Sequence, residues 1–197
     1  MTDTLAPFGL RASRKKGGNP NANGVNRYRI NPAGNAGNIF KGDPVKTLTT
    51  GYITQASATT DYVTGRFMGC MYNDSTTKRP TWSMYYPANT SVGTDPLGIV
   101  AFVADDVAET MVIQADASLS VGDIGLNFDV TVSAGSTFTY NSGFALKAAS
   151  RKATTALLRV VDIFDSPDNA LTGANGAFPL VEVKWVQHQD NLASIVG

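Results

Sequence analysis

Apolar and polar positions alternate with a period of two along most of this chain, which is the spacing of strands rather than helices. In FPLVEVKWVQH, Val181, Val183 and Trp185 oppose Leu180, Glu182, Lys184 and Val186. In ETMVIQAD, Met111, Ile113 and Ala115 oppose Val112 and Gln114, and further on Phe128, Val130 and Val132 oppose Asp129, Thr131 and Ser133. TALLRVVDIFD sets Leu157, Arg159, Val161 and Ile163 against Leu158 and Val160; its β-branched run and Thr154-Thr155 favour a strand over a helical turn. TWSMYYPA places Trp82, Met84 and Tyr86 on one face, and with GRFMGCMY before it predicts a hairpin whose long polar tip is NDSTTKRP. DPLGIVAFVADD is nearly continuous in apolar residues, the pattern of a strand buried on both faces. The one soft helical candidate is FALKAASRKATTALL.

Turn signals separate these segments. IFKGDPVKTLTTGYITQA predicts strand, turn, strand, with Gly42-Asp43-Pro44 at the turn and Thr50-Gly51 closing the next short strand. A second Gly-Asp pair, Gly122-Asp123, stands in similar surroundings: LSVGDIG beside IFKGDPV. The two pairs mark related positions in a barrel, or they are a chance recurrence of a common turn dipeptide. Short strands with turns between them predict an all-β fold, either a small β-barrel or a jelly-roll-like sandwich.

The alternation is weakest at the start. Residues 1–38 are dense in Gly, Asn and Pro (KKGGNPNANGVN, NPAGNAGN) and bury little, so they predict an extended N-terminal arm. Within it VNRYRI is either an edge strand or a stretch of the arm. The β-rich body then covers 39–190, and 191–197 form a C-terminal tail. Removing residues 1–30 is expected to leave that body folded.

Composition sharpens the picture. Hydrophobic residues make up 43% of the 197, enough for a sizeable core, but charged residues only 16%, against an average of about 25%. A surface poor in charge is poorly protected against association, which points to a surface covered by copies of itself or by a partner. The net charge is zero, yet residues 1–46 carry eight bases and two acids, leaving the remainder with eight bases and fourteen acids. The basic side chains Arg11, Arg14, Lys15, Lys16, Arg27 and Arg29 are the candidate partner contacts, suited to an acidic neighbour. Interleaved aromatics for base stacking are missing from the Arg11–Lys16 cluster, so a protein partner is expected over nucleic acid.

Candidate chemistry is sparse. His188 is the only histidine and reads as a solvated residue near the C-terminus rather than a general base. Cys70, the only cysteine, reads as a small buried hydrophobe between Met68 and Met71. Asp105, Asp106 and Glu109, and separately Asp162, Asp165 and Asp168, read as turn residues; neither group has the spacing of a calcium loop or a zinc site. No enzyme activity and no cofactor are expected. No apolar run has the length of a membrane helix or a signal-peptide core, so synthesis in a cytoplasm without a standard export signal is expected.

The segments LAPFGLRASRKKGG, NIFKGDPVKTLTTGYITQA, GRFMGCMY, DDVAETMVIQAD, LSVGDIGLN and DSPDNA together resemble the capsid decoration (cement) proteins of tailed bacteriophages, over about residues 1–190. The resemblance implies a β-rich, often trimeric protein without an active site, bound outside an icosahedral shell to the major capsid protein and carried on the virion. A receptor- or glycan-binding fibre or spike module is the alternative, with Trp82, Tyr85 and Tyr86 as sugar-stacking candidates; the bland reading of Trp82 and Tyr86 is core. A major coat protein is a poorer match, because long helices are missing from the pattern.

Overall fold

The chain of strand pairings begins within fifteen residues of the N-terminus. The computed structural model describes residues 4–15, 24–32, 37–57, 60–90, 98–152, 154–171 and 176–191. Among them run β1 (Arg11–Lys15), β2 (Asn26–Ile30), β3 (Pro44–Thr47), β4 (Ile53–Gln55), β5 (Gly65–Asn73), β6 (Pro80–Ser83), β7 (Ile99–Ala104), β8 (Glu109–Gln114), β9 (Asn127–Phe128), β10 (Val130–Thr131), β11 (Ala145–Leu146), β12 (Leu158–Ile163) and β13 (Leu180–Trp185). The fold is all-β; the only helical turns among these residues are short 3-10 segments. The helical candidate around Phe144 instead forms β11 and one 3-10 turn, Ala148–Ser150, because Leu146 is needed opposite Val130 in a ladder.

Two sheets carry the fold, in the orders β2-β7-β5-β3-β4 (with β6 beside β5) and β1-β8-β13-β12-β9. The second sheet continues: β10 follows β9 and pairs β11, and Leu146 of β11 bridges Ala115 at the end of β8. The ladder thus returns to β8, and the ring β8-β13-β12-β9/β10-β11 encloses a core of Met111, Ile113, Phe128, Leu146, Val160, Val181 and Val183. The first sheet has its own core, with Ile30, Val45, Ile53, Phe67, Ala101 and Val103 at its centre.

The two units have the same topology. With β9 and β10 counted as one interrupted strand and β1 and β6 set aside, each unit places its first, fifth, fourth, second and third strands side by side in that order. Each has a β-bulge in the fourth strand, after Phe67 in β5 and after Val160 in β12. In each, a glycine at positive φ (Gly42 at 94°, Gly125 at 91°) donates its N–H to the carbonyl of the residue before the bulge, at 2.9 Å to Phe67 and 2.8 Å to Val160. The next residue closes the link: Asp43 O accepts from Phe67 N–H and Leu126 O from Val160 N–H. Glycine is required where φ is positive and the backbones meet this closely. The structural partner of Gly42 is therefore Gly125, three residues beyond the Gly122 that the repeated dipeptide picks out. The two Gly-Asp turns do share one device: Asp43 and Asp123 are buried, and each carboxylate accepts the N–H of the residue three before it, Phe40 and Ser120.

The N-terminal region is extended, as expected, but its described parts are built into the body rather than separate from it. β1 pairs β8 and β2 pairs β7, both antiparallel. Gly9 N–H donates to Phe144 O, and Leu10 N–H to Gly42 O, so residues 9–10 tie one unit to the other. Leu10 and Ile30 are buried in the second and first cores. Removal of residues 1–30 therefore takes away two strands and two core side chains, and the expectation of an intact body without them is corrected. Lys16 and residues 192–197 lie outside the described residues.

Tertiary pairing also corrects three face assignments. The bulge at Val161 shifts the phase of β12, so Ile163 packs toward the core while Arg159 is exposed. β7 is not buried on both faces: Ile99, Ala101 and Val103 point into the core, and Val100 and Phe102 are half-buried on the outer face. β8, read as alternating, is buried at every position, because β1 and β13 flank it and residues 4–14 cover it.

Candidate functional site: the outer face of the first sheet

Register places one row of side chains on the outer face of the first sheet. Arg29 pairs across to Val100, Val100 to Met71, and Met71 to Trp82; in the next row Arg27 faces Phe102 and Phe102 faces Gly69. Directly opposed residues project from the same face. The result is an apolar and aromatic patch of Val100, Phe102, Met71 and Trp82 with two arginines along one side. Trp82 is 52% exposed and Met71 42%. The Trp82 ring packs 4.9 Å from that of Phe102, and the Arg27 guanidinium lies 6.0 Å from the centroid of the Phe102 ring. Gly69 makes this possible: a Cβ there would stand 2.8 Å from the Trp82 ring.

The preference for a core Trp82 is corrected by this exposure, while Tyr86 is fully buried. The strand ends at Ser83, whose hydroxyl bonds the Tyr85 backbone, so Trp82 and Tyr86 do not keep a common face. Tyr85 stacks between Phe40 and Tyr140, with centroids 5.4 Å apart on each side.

The second unit shows what happens at the equivalent face when it is covered. The counterpart of Phe102 is Glu182, each opposite the residue after its bulge. Glu182 is buried and accepts from Ser13 Oγ at 2.7 Å and Arg14 Nη2 at 2.5 Å. Gln114 nearby accepts from Ala6 N–H and donates to Thr4 O. The N-terminal segment thus closes one face with polar contacts; the other face is apolar and open among the described residues.

Of the six basic residues singled out by sequence, those whose side chains are described do not form one patch. Arg14 remains exposed but is engaged within the chain by Glu182, with Asp162 at 3.9 Å. Lys15 stands opposite Glu109 in β1. Arg11 lies 4.0 Å over the Phe8 ring beside a cleft. Of the described basic side chains, only Arg27 and Arg29 join the outer face. Val100, Phe102 and Met71 were not singled out, although the unbroken apolar run of β7 was their signal in the sequence.

Asp105 accepts from Asn26 Nδ2 and from the Tyr28 hydroxyl at 2.8 Å, and Asp106 caps the turn at Ala108. Burial, with Asp105 second, pushes the Tyr28 hydroxyl pKa upward. No group of three His, Cys, Asp or Glu side chains among the described residues is arranged to hold a metal ion. Cys70 is fully buried, and burial pushes its thiol up to about 12. No helix of the described residues is long and apolar enough to cross a membrane.

His188 is not a solvated tail residue. It is 1% exposed, because Gln187 O and Gln189 N–H pair with Val63 and draw the C-terminal segment between the units. Its Nδ1 accepts the Asp190 N–H at 3.2 Å. Burial lowers its pKa below 6.5, opposed by the charges of Asp190, Asp105 and Asp106. The unfolded chain then binds a proton that the fold resists. Stability due to neutral His188 is full above the unfolded value of 6.5 and is lost as pH falls through the lower folded value. Burial raises the pKa of Asp43, which acts in the opposite sense as pH rises above 3.8. The expected result is a thermal midpoint that falls between about pH 7.5 and pH 5 in the wild type. His188→Gln should flatten that fall; an unchanged slope in the variant would assign it to other groups.

Comparison with known proteins gives no match to a protein-family model, to a curated protein or to a solved structure.

Proposed function

We propose that this chain is a non-enzymatic virion structural protein, a decoration protein that docks on the outside of an icosahedral phage capsid and stabilises it. The open face of Trp82, Phe102, Met71 and Val100 beside Arg27 and Arg29 carries this reading. Tryptophan, aromatic residues, methionine and arginine are the types enriched at the energetic centres of protein interfaces. The resemblance of the sequence to decoration proteins supplies the partner, the major capsid protein, and the working state, a homotrimer on the virion assembled after synthesis in the host cytoplasm. Modest contacts repeated by shell symmetry give avidity without one tight site.

The test is co-sedimentation with undecorated shells of the source phage. Wild type should saturate at a fixed ratio to coat protein. Met71→Asp should weaken binding about 30-fold, the size of an interface hot spot, with an unchanged thermal midpoint. Failure of the wild type to bind shells would sink the reading. The half-exposed Trp82 ring favours a second reading, a glycan-binding fibre or spike module. Hits on a glycan array that Trp82→Ala abolishes, without shell binding by the wild type, would establish it.

A further inference from the structure

We infer that a cleft beside β1 is a carboxylate-binding site, filled by an acidic segment of a second copy of this chain. The cleft, about 490 Å³, is lined by Phe8, Arg11, Lys41, Arg66, Met68 and Asn141 among others, with no acidic residue among its described lining. That volume accommodates several side-chain groups rather than one small ion.

Arg66 is the deepest charge. Its side chain is 3% exposed, and its Nη2 donates to Glu109 at 2.8 Å. Its Nη1 donates to the Met68 sulfur, a weak acceptor, and its Nε has no partner among the described residues. One carboxylate therefore serves a guanidinium with five donors. The Arg11 guanidinium lies over the Phe8 ring, and among the described residues neither Arg11 nor Lys41 forms an ion pair. Three cations converge against one internal carboxylate, leaving an excess of two positive charges around a concave site. Concave walls of low polarisability strengthen the field of such an excess and draw in anions.

The second copy is identified by charge. The basic excess of the chain lies in residues 1–46 and the acidic excess in the remainder. Asp162, near the end of β12, and Asp165 and Asp168, on the connection to β13, are all exposed, and in that connection Asn169 N–H donates to Ser166 O and holds a turn. Of the three, Asp162 lies 3.9 Å from Arg14, so Asp165 and Asp168 are the groups this segment presents outward. The docking does not depend on the outer sheet face, and its test is independent of capsid shells.

The experiment titrates the full chain, by calorimetry, with a synthetic peptide of residues 162–169, with the same peptide carrying Asn for each Asp, and with inorganic phosphate. The acidic peptide is expected to bind and the Asn peptide not. Arg11→Gln and Lys41→Gln, which leave the buried Arg66–Glu109 pair intact, should each weaken binding about tenfold. Salt raised from about 0.1 M to about 1 M should weaken it further, as the screening length shrinks from roughly 10 Å to roughly 3 Å. Binding of phosphate but not of the acidic peptide would overturn the second-copy assignment in favour of a small-anion site. Binding of neither, or peptide binding unaffected by both substitutions, would overturn the site itself.

Discussion

Glu109→Ala is expected to destabilise the protein by about 3–5 kcal/mol, because it leaves the Arg66 guanidinium charged and buried without its carboxylate. Both partners are almost inaccessible, with side chains 3% and 1% exposed. The pair joins β5 of the first unit to the start of β8 in the second, so the lost attraction also loosens the junction. Typical domains have only about 5–15 kcal/mol to lose. Removing both charges is a different experiment: Arg66→Met with Glu109→Leu exchanges the pair for apolar groups and should recover most of the loss. Urea unfolding of the two proteins decides it. A single variant within about 1 kcal/mol of wild type would mean that solvent reaches Arg66.

Phe67→Ala should cost about 3–5 kcal/mol, by lost burial and by the cavity left behind. The side chain is fully buried in the first core, and its backbone is fixed at both ends, to Gly42 N–H and Asp43 O, at the bulge of β5. With the backbone so held, the strand cannot collapse into the void, which places the loss toward the upper part of the range. Phe102→Ala, one strand away but half-buried on the outer face, is the control and should lose much less. Equal losses for the two in urea unfolding would contradict the assignment of inner and outer faces.

Much of the fold is legible in the sequence. The period-two pattern determined an all-β chain, the inward set Val181, Val183 and Trp185, and the hairpin β5–β6. These follow from local backbone geometry and turn chemistry, which a short stretch carries by itself. The candidate site was legible only in fragments: Arg27 and Arg29 from their charge, Trp82 as one reading of an aromatic segment.

Tertiary structure decided the rest, since alternation says that two faces differ but not which of them is covered. Arg14 and Arg27 look alike in the sequence, yet Arg14 meets Glu182, 168 residues away, and Arg27 lies beside the exposed Phe102. Val100 and Phe102 became a surface because, among the described residues, the N-terminal segment covers the equivalent face of the second unit and not theirs. The repeated topology itself lies in hydrogen-bond register, with Gly42 answering to Gly125, and the Gly-Asp dipeptide points three residues short of it. Burial and charge pairing at these positions depend on strands brought together from distant parts of the chain, so no local pattern could specify them.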